Sequence, residues 1–257
     1  VGLWAWNAQQ QEMARQAALA TAVAQATPIS VQDASQIGLL TSIAPTPTAS
    51  FSQLPIQRVF EDFNDITIGS LPAGWSQFGS DRVVPSIVYC SDGARSNQCL
   101  YFPYVWHYSD KWLIYDLVAF REVTATVKLR FLRSVADKAG VVVGWTGEGS
   151  SYIQAMPNIY HQQLEFKVQK DGQLRKWDSV PLSLSADRDY WLRVMLTAQA
   201  ENTCQATVMW STDGTRFDPL VRLDELSCQS GKAGLVTEGP GMAEVLFDDF
   251  EAFGSLP

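Results

Sequence analysis

From Val59 onward, apolar and polar residues alternate with a period of two. Val123, Ala125, Val127, Leu129 and Phe131 alternate with Thr124, Thr126, Lys128 and Arg130, which places the apolar set on one face of an extended chain and predicts a half-buried strand. Leu164, Phe166 and Val168 alternate with Glu165, Lys167 and Gln169 in the same way. Asp171-Gly172 follows, where a type I′ turn needs positive φ, so a hairpin is expected. Leu192, Val194 and Leu196 form another inward row, and Ala206, Val208 and Trp210 a further one that runs to Asp213-Gly214. Val141–Val143 is apolar at successive positions, the signature of a strand covered on both faces in the middle of a sheet. The pattern predicts about ten to thirteen strands and almost no helix after residue 59.

The first part of the chain reads differently. Asn7–Ala26 is rich in Ala, Gln, Met and Leu with no Gly or Pro, and predicts a helix that Thr27-Pro28 stops. Its stripe of Met13, Ala17, Ala20 and Val23 is too small to anchor on a core, so residues 1–28 are expected to form a stalk or membrane-proximal segment. Residues 29–57, including the Pro/Thr stretch Pro45–Ser50, are the expected linker. Residues 58–257 are the expected β-sandwich domain. Val1–Trp6 is far short of the ~20 apolar residues that a crossing helix needs, and would fit the trailing edge of an apolar segment upstream.

Two short aromatic and acidic stretches, Val59–Phe63 and Val245–Phe253, bracket the β-patterned region, and they are expected to pair as first and last strands. Composition adds that the chain is globular, with 46% hydrophobic and 11% aromatic residues. A net charge of −8 argues against a nucleic-acid groove or a polybasic membrane patch. Four cysteines allow three connectivities. Each couple flanks a polar turn segment, so Cys90–Cys99 and Cys204–Cys228 are the expected bridges, which would put the domain outside the cytoplasm.

The segments VFEDFND…GSLPAGW (Val59–Trp75), YWLRVML (Tyr190–Leu196), WSTDGTRF (Trp210–Phe217) and AGLVTEG…VLFDDFEAF together resemble concanavalin A-like, laminin-G-like jelly rolls over residues 58–254. The resemblance implies an all-β, antiparallel β-sandwich and a function ranging from glycan hydrolysis to lectin binding, adhesion or structure. The hydrolytic branch of that family carries ExDxxE on one strand, and no such triplet occurs here. Binding modules of this kind often hold a structural calcium near their terminal strands. Glu61, Asp62, Asp248 and Asp249 are the expected ligands of a Ca²⁺ ion, the alternative being a β-bulge that turns adjacent carboxylates to water or backbone N–H groups.

Motifs for phosphate loops, dinucleotides, serine hydrolases and HExxH zinc sites are absent. Tyr101–Trp112 holds six aromatic rings in twelve residues. Trp106, His107, Tyr108 and Trp112, joined by Trp145 and Tyr160, are the expected ligand-binding residues, because flat rings beside polar groups hold sugars and protein hot spots. Tyr152 and Trp177 are candidates for the same face. The expected function is a noncatalytic, extracytoplasmic recognition or assembly module that binds a glycan or protein partner, tethered through a helix upstream of the domain. Two alternatives stand beside it: a structural subunit of a filament or membrane complex with the helix packed inside, and a carbohydrate-active hydrolase.

Overall fold

A computed structural model describes residues 55–79, 84–90, 97–103, 109–133, 138–147, 151–200, 203–227, 230–239 and 244–257. All of them belong to the second of two compact units, Ser52–Pro257. The expected stalk and most of the expected linker lie outside the described residues. Among the described residues there is no helix long and apolar enough to cross a membrane.

The described chain forms fifteen strands in two antiparallel sheets. The first four are β1 (Ile56–Glu61), β2 (Trp75–Gly79), β3 (Ser86–Tyr89) and β4 (Gln98–Phe102). The middle of the chain supplies β5 (Ser109–Tyr115), β6 (Glu122–Phe131), β7 (Lys138–Trp145), β8 (Tyr152–Asn158), β9 (Gln163–Lys170) and β10 (Gln173–Pro181). The last are β11 (Asp189–Ala200), β12 (Thr203–Ser211), β13 (Asp218–Ser227), β14 (Lys232–Gly239) and β15 (Val245–Ser255). Sheet A runs β13-β12-β11-β6-β15-β4-β3, with β1 also paired to β15, and sheet B runs β10-β9-β8-β7-β14-β5-β2. The count exceeds the expected range because β2 and β3, at five and four residues, are too short to show a period.

The alternating rows become the inner faces of the sandwich. Val123, Ala125, Val127, Leu129 and Phe131 of sheet A are buried, as are Leu164, Phe166 and Val168 of sheet B. β7 lies at the centre of sheet B, and Val141, Val142 and Val143 are all fully buried, as an apolar run covered on both faces requires. Asp171 and Gly172 take φ of 50° and 75° and join β9 to β10 as the two-residue hairpin their sequence predicts. Asp213-Gly214 behaves differently. It sits in a longer connection between β12 and β13, where the Asp213 carboxylate accepts the N–H groups of Thr215 and Arg216.

First and last strands pair as expected, with Val59 opposite Ala252 and Glu61 opposite Phe250. β15 is flanked by β6 on one side, and by β4 and then β1 on the other. Its Phe247 meets Phe102 edge-on at 5.4 Å, and its Phe250 meets Trp75 at 5.0 Å. Cys90 and Cys99 form a disulfide across β3 and β4, with Cα atoms 5.4 Å apart. Cys204 is also disulfide-bonded, and its expected partner Cys228 lies outside the described residues.

Candidate functional site on the outer face of sheet B

Residues that alternate with the core rows of sheet B should face solvent. Instead many of them are buried. On β5 the core takes Leu113, so Asp110, Trp112 and Ile114 share the outer face, and on β8 Ile153 and Ala155 point inward while Tyr152, Gln154 and Met156 point outward. Trp145 joins them through a β-bulge. Val142 lies opposite Gly234 but Trp145 lies opposite Lys232, so one extra residue sits beside Gly144, whose φ is 66°. Without it Trp145 would face the core with Val143. The result is a cluster in which Trp145 stacks on Tyr152 at 5.8 Å and lies 5.5 Å from both Trp112 and Phe78.

Beside the rings lies a network of charges drawn from three strands. Lys138 of β7 places Nζ 2.7 Å from Glu165 of β9 and 3.5 Å from Glu238 of β14. Lys167 pairs with Glu238, and the Asn158 amide of β8 donates to Glu165 at 2.8 Å. Trp177 of β10 closes the edge: its indole N–H donates to Glu165 at 3.3 Å, and both lysines lie over its ring at about 5 Å. Burial is the largest single influence and works against the charges of Glu165 and Lys138, yet their mutual hydrogen bond, the attraction between the charges and the further hydrogen bonds each accepts or donates together outweigh it. Glu165 is held below the ordinary carboxylate range, and Lys138 is raised above the usual lysine value with help from Glu238.

Among the described residues, three side chains on this face have buried polar atoms without partners. Gln154 is 0% exposed, and neither its amide oxygen nor its nitrogen is hydrogen-bonded. It stands between Tyr152 and Met156 along β8 and opposite Val142 and Lys167 on the neighbouring strands. The Trp112 indole N–H and one Asp110 carboxylate oxygen are unpaired as well. Burying such groups unmade costs about 1–3 kcal/mol each, so their concentration on one face marks a place prepared for polar atoms from elsewhere. Burial, then the adjoining Glu238 carboxylate, pushes Asp110 up to about 6. A carboxyl that binds its proton more tightly folded than unfolded stabilises the fold below its unfolded value of 3.8, and that stabilisation is lost as pH rises through about 6. Asp110→Asn should therefore remove the part of the stability gain that the native protein shows on acidification from pH 6 toward 3.8, as read by urea unfolding across that range.

The expected ligand residues divide. Trp112 and Trp145 come together with Tyr152, and Trp177 borders the same face. Tyr160 does not join them; it is 65% exposed in the β8–β9 turn and, among the described rings, meets that of His161 at 4.9 Å. Trp106, His107 and Tyr108 lie outside the described residues. The alternation of Glu165 and Lys167 reads as a solvated face, and here the structure differs, because Glu165 is 4% exposed and Lys167 is committed to Glu238. Gln154, Lys138, Glu238 and Asp110 carry no spacing signal, since each comes from a different strand.

At the paired termini, β15 bulges between Asp248 and Glu251, with Asp249 at φ 48°. This resolves the adjacent carboxylates: the extra residue sends both Phe247 and Phe250 inward, and Asp248 reaches Lys128 Nζ at 3.1 Å while accepting the Asp249 N–H at 2.9 Å. Burial, then Asp249, raises Asp248 in spite of Lys128. Glu61 and Asp62 accept the N–H groups of Phe63 and Asn64, both at 3.1 Å. Among the described residues the four expected calcium ligands do not form a group of three ligand atoms within 4.8 Å of one another. The group that does, Cys90, Cys99 and Asp248, has both sulfurs in the disulfide.

No protein-family model matches the chain, and no curated protein matches it. Solved structures similar to it include a carbohydrate-binding module, CBM66, from Bacillus subtilis, at 9% identity over 71% of this chain and 93% of that one, with a TM-score of 0.46. The exoplasmic/lumenal domain of VIP36 in its metal-free form is similar at 11% identity over 78% of this chain and 92% of that one, with a TM-score of 0.49. A legume lectin-like domain from Entamoeba histolytica is similar at 10% identity over 72% and 91% of the two chains, with a TM-score of 0.45.

Proposed function

We propose that the protein is a noncatalytic recognition module that binds a glycan across the outer face of sheet B. The observation that carries this reading is Gln154, a fully buried amide with both polar atoms unpaired, on the same face as Trp112, Trp145 and Tyr152. Sugars offer what such a site lacks, hydroxyl groups that both donate and accept, beside apolar ring faces suited to aromatic side chains. Recognition fits better than hydrolysis. Turnover of a glycosidic bond calls on two available carboxyl groups, and of the three named among the described residues of this face Glu165 and Glu238 are held by Lys138 and Lys167, which leaves Asp110. The Cys90–Cys99 bridge supports a place outside the cytoplasm.

A glycan array probed with the full chain, followed by calorimetry on the best oligosaccharide, tests the reading. Trp112→Ala and Gln154→Ala should each weaken binding about tenfold, the loss expected for one aromatic anchor or for two hydrogen bonds. An array without a retained glycan, or affinities that neither substitution alters, would overturn it.

A further inference from the structure

A cavity of about 310 Å³ opens at one end of the sandwich between the edge strands β10 and β13; neither Trp112 nor Gln154 lines it, and Tyr152 is the residue it shares with the aromatic cluster. We propose that it is a second binding site, built for an aliphatic carboxylate. Its floor is apolar and drawn from both sheets: Ile153 and Val168 from sheet B, Leu196 and Leu226 from sheet A. Ile153 and Val168 are 7% and 8% exposed whereas Val141, Val143 and Leu164 in the same layer are fully buried, so the core is open to the outside at this point. The volume falls within the range of small-molecule sites.

The rim is polar and mostly cationic. Lys170 and Arg175 face one carboxylate, Glu225, which gives the mouth a net positive charge on a chain of net charge −8. Lys170 Nζ donates to Ser227 Oγ at 2.9 Å and so links β9 of sheet B to β13, the edge of sheet A, while no carboxylate of the described residues lies within ion-pair distance of Arg175. Three separate β-bulges shape this lining. Arg175 is the extra residue between Leu174 and Lys176 on β10, Glu225 takes φ 58° within the bulge of β13, and Gly144 takes φ 66° within that of β7. Bulges re-aim side chains and interrupt pairing, and a glutamate in the left-handed region costs backbone energy that the sandwich itself does not require. Apolar walls ending at a guanidinium, an ammonium and a hydroxyl suit a hydrocarbon chain that ends in a carboxylate, which arginine can take in bidentate fashion.

Calorimetry of the full chain with saturated monocarboxylates from butanoate to dodecanoate, and with the matching primary alcohols, tests this. Affinity should rise about fourfold per added methylene until the cavity is filled and then level off. The matching alcohol should bind at least tenfold more weakly than the acid. Arg175 is exposed on an edge strand, so Arg175→Ala leaves the fold intact and should cost about tenfold for the acid while leaving the alcohol unchanged. Gln154→Ala and Trp112→Ala should leave all of these affinities unaltered, which separates this site from the glycan face. The absence of saturable binding at every chain length, affinities independent of chain length, or an alcohol that binds as tightly as its acid would overturn the proposal.

Discussion

Removing Phe247–Pro257 should leave a chain without a cooperative unfolding transition. β15 lies between β6 on one side and β4 and β1 on the other, so the deletion leaves β1 and most of β6 with a row of unpaired N–H and C=O groups and takes from β4 its pairing to Phe247. It also takes out Phe247, Phe250 and Ala252, all within the core. Phe250 meets Trp75 of sheet B, which in turn meets Tyr115 of the same sheet, so the phenylalanine ring ties the two sheets together. Phe250→Ala should cost about 3–5 kcal/mol, the usual loss for a buried phenylalanine with its cavity. Circular dichroism during a thermal scan would show the effect: a single sharp transition for the full chain, one displaced well downward for Phe250→Ala, and none for the truncation. A truncated chain that still melted sharply near the native temperature would mean that β6 and β4 hold the sandwich without their shared neighbour.

Lys138→Met is expected to destabilise the fold by about 3–5 kcal/mol, because it leaves Glu165 buried without the cation that neutralises it. The same variant should change the shape of the pH profile. Glu165 is lowered from 4.5, so in the native protein its contribution is present above 4.5 and lost as pH falls through its folded value. Lys138 is raised from 10.5, so its contribution is present below 10.5 and lost as pH climbs through its folded value. Native stability therefore carries both limbs, and Lys138→Met should flatten them. Replacing both partners, as Lys138→Met with Glu165→Leu, should recover much of the loss, since no bare charge is then left behind. Urea titrations at a series of pH values measure each of these. A single variant within about 1 kcal/mol of native would show that water already screens the pair.

The parts of the fold that rest on local period are legible in the chain itself. The row Val123 to Phe131, the run Val141–Val143 and the turn Asp171-Gly172 each predict their structure because a strand's two faces and a hairpin's backbone are decided by neighbours in sequence. Pairing of the termini is legible for a related reason, as two short aromatic strands need partners. The site is legible only in part. Trp112 and Trp145 stand out as large rings, yet the face of Trp145 depends on one extra residue near Gly144, and a bulge exists only relative to a partner strand. Glu165 and Lys167 show their parity but not what lies over them. Lys138, Gln154 and Glu238 are brought together by sheet order, which no spacing encodes.

The bulges of β10 and β13 have a bearing on how copies of this protein meet one another. These are the end strands of their sheets, and an unpaired strand edge invites a second chain to continue the ladder. Here the edge is poorly suited to that. β10 is broken at Arg175, carries Lys176 beside it and finishes at Pro181, while β13 begins at Asp218-Pro219 and is kinked at Glu225 next to Asp224. Proline removes a donor, the kinks spoil the register, and the charges repel a like edge. Molecules crowded side by side on a surface would thus resist zippering into a continuous cross-chain sheet, and dense display need not lead to aggregation.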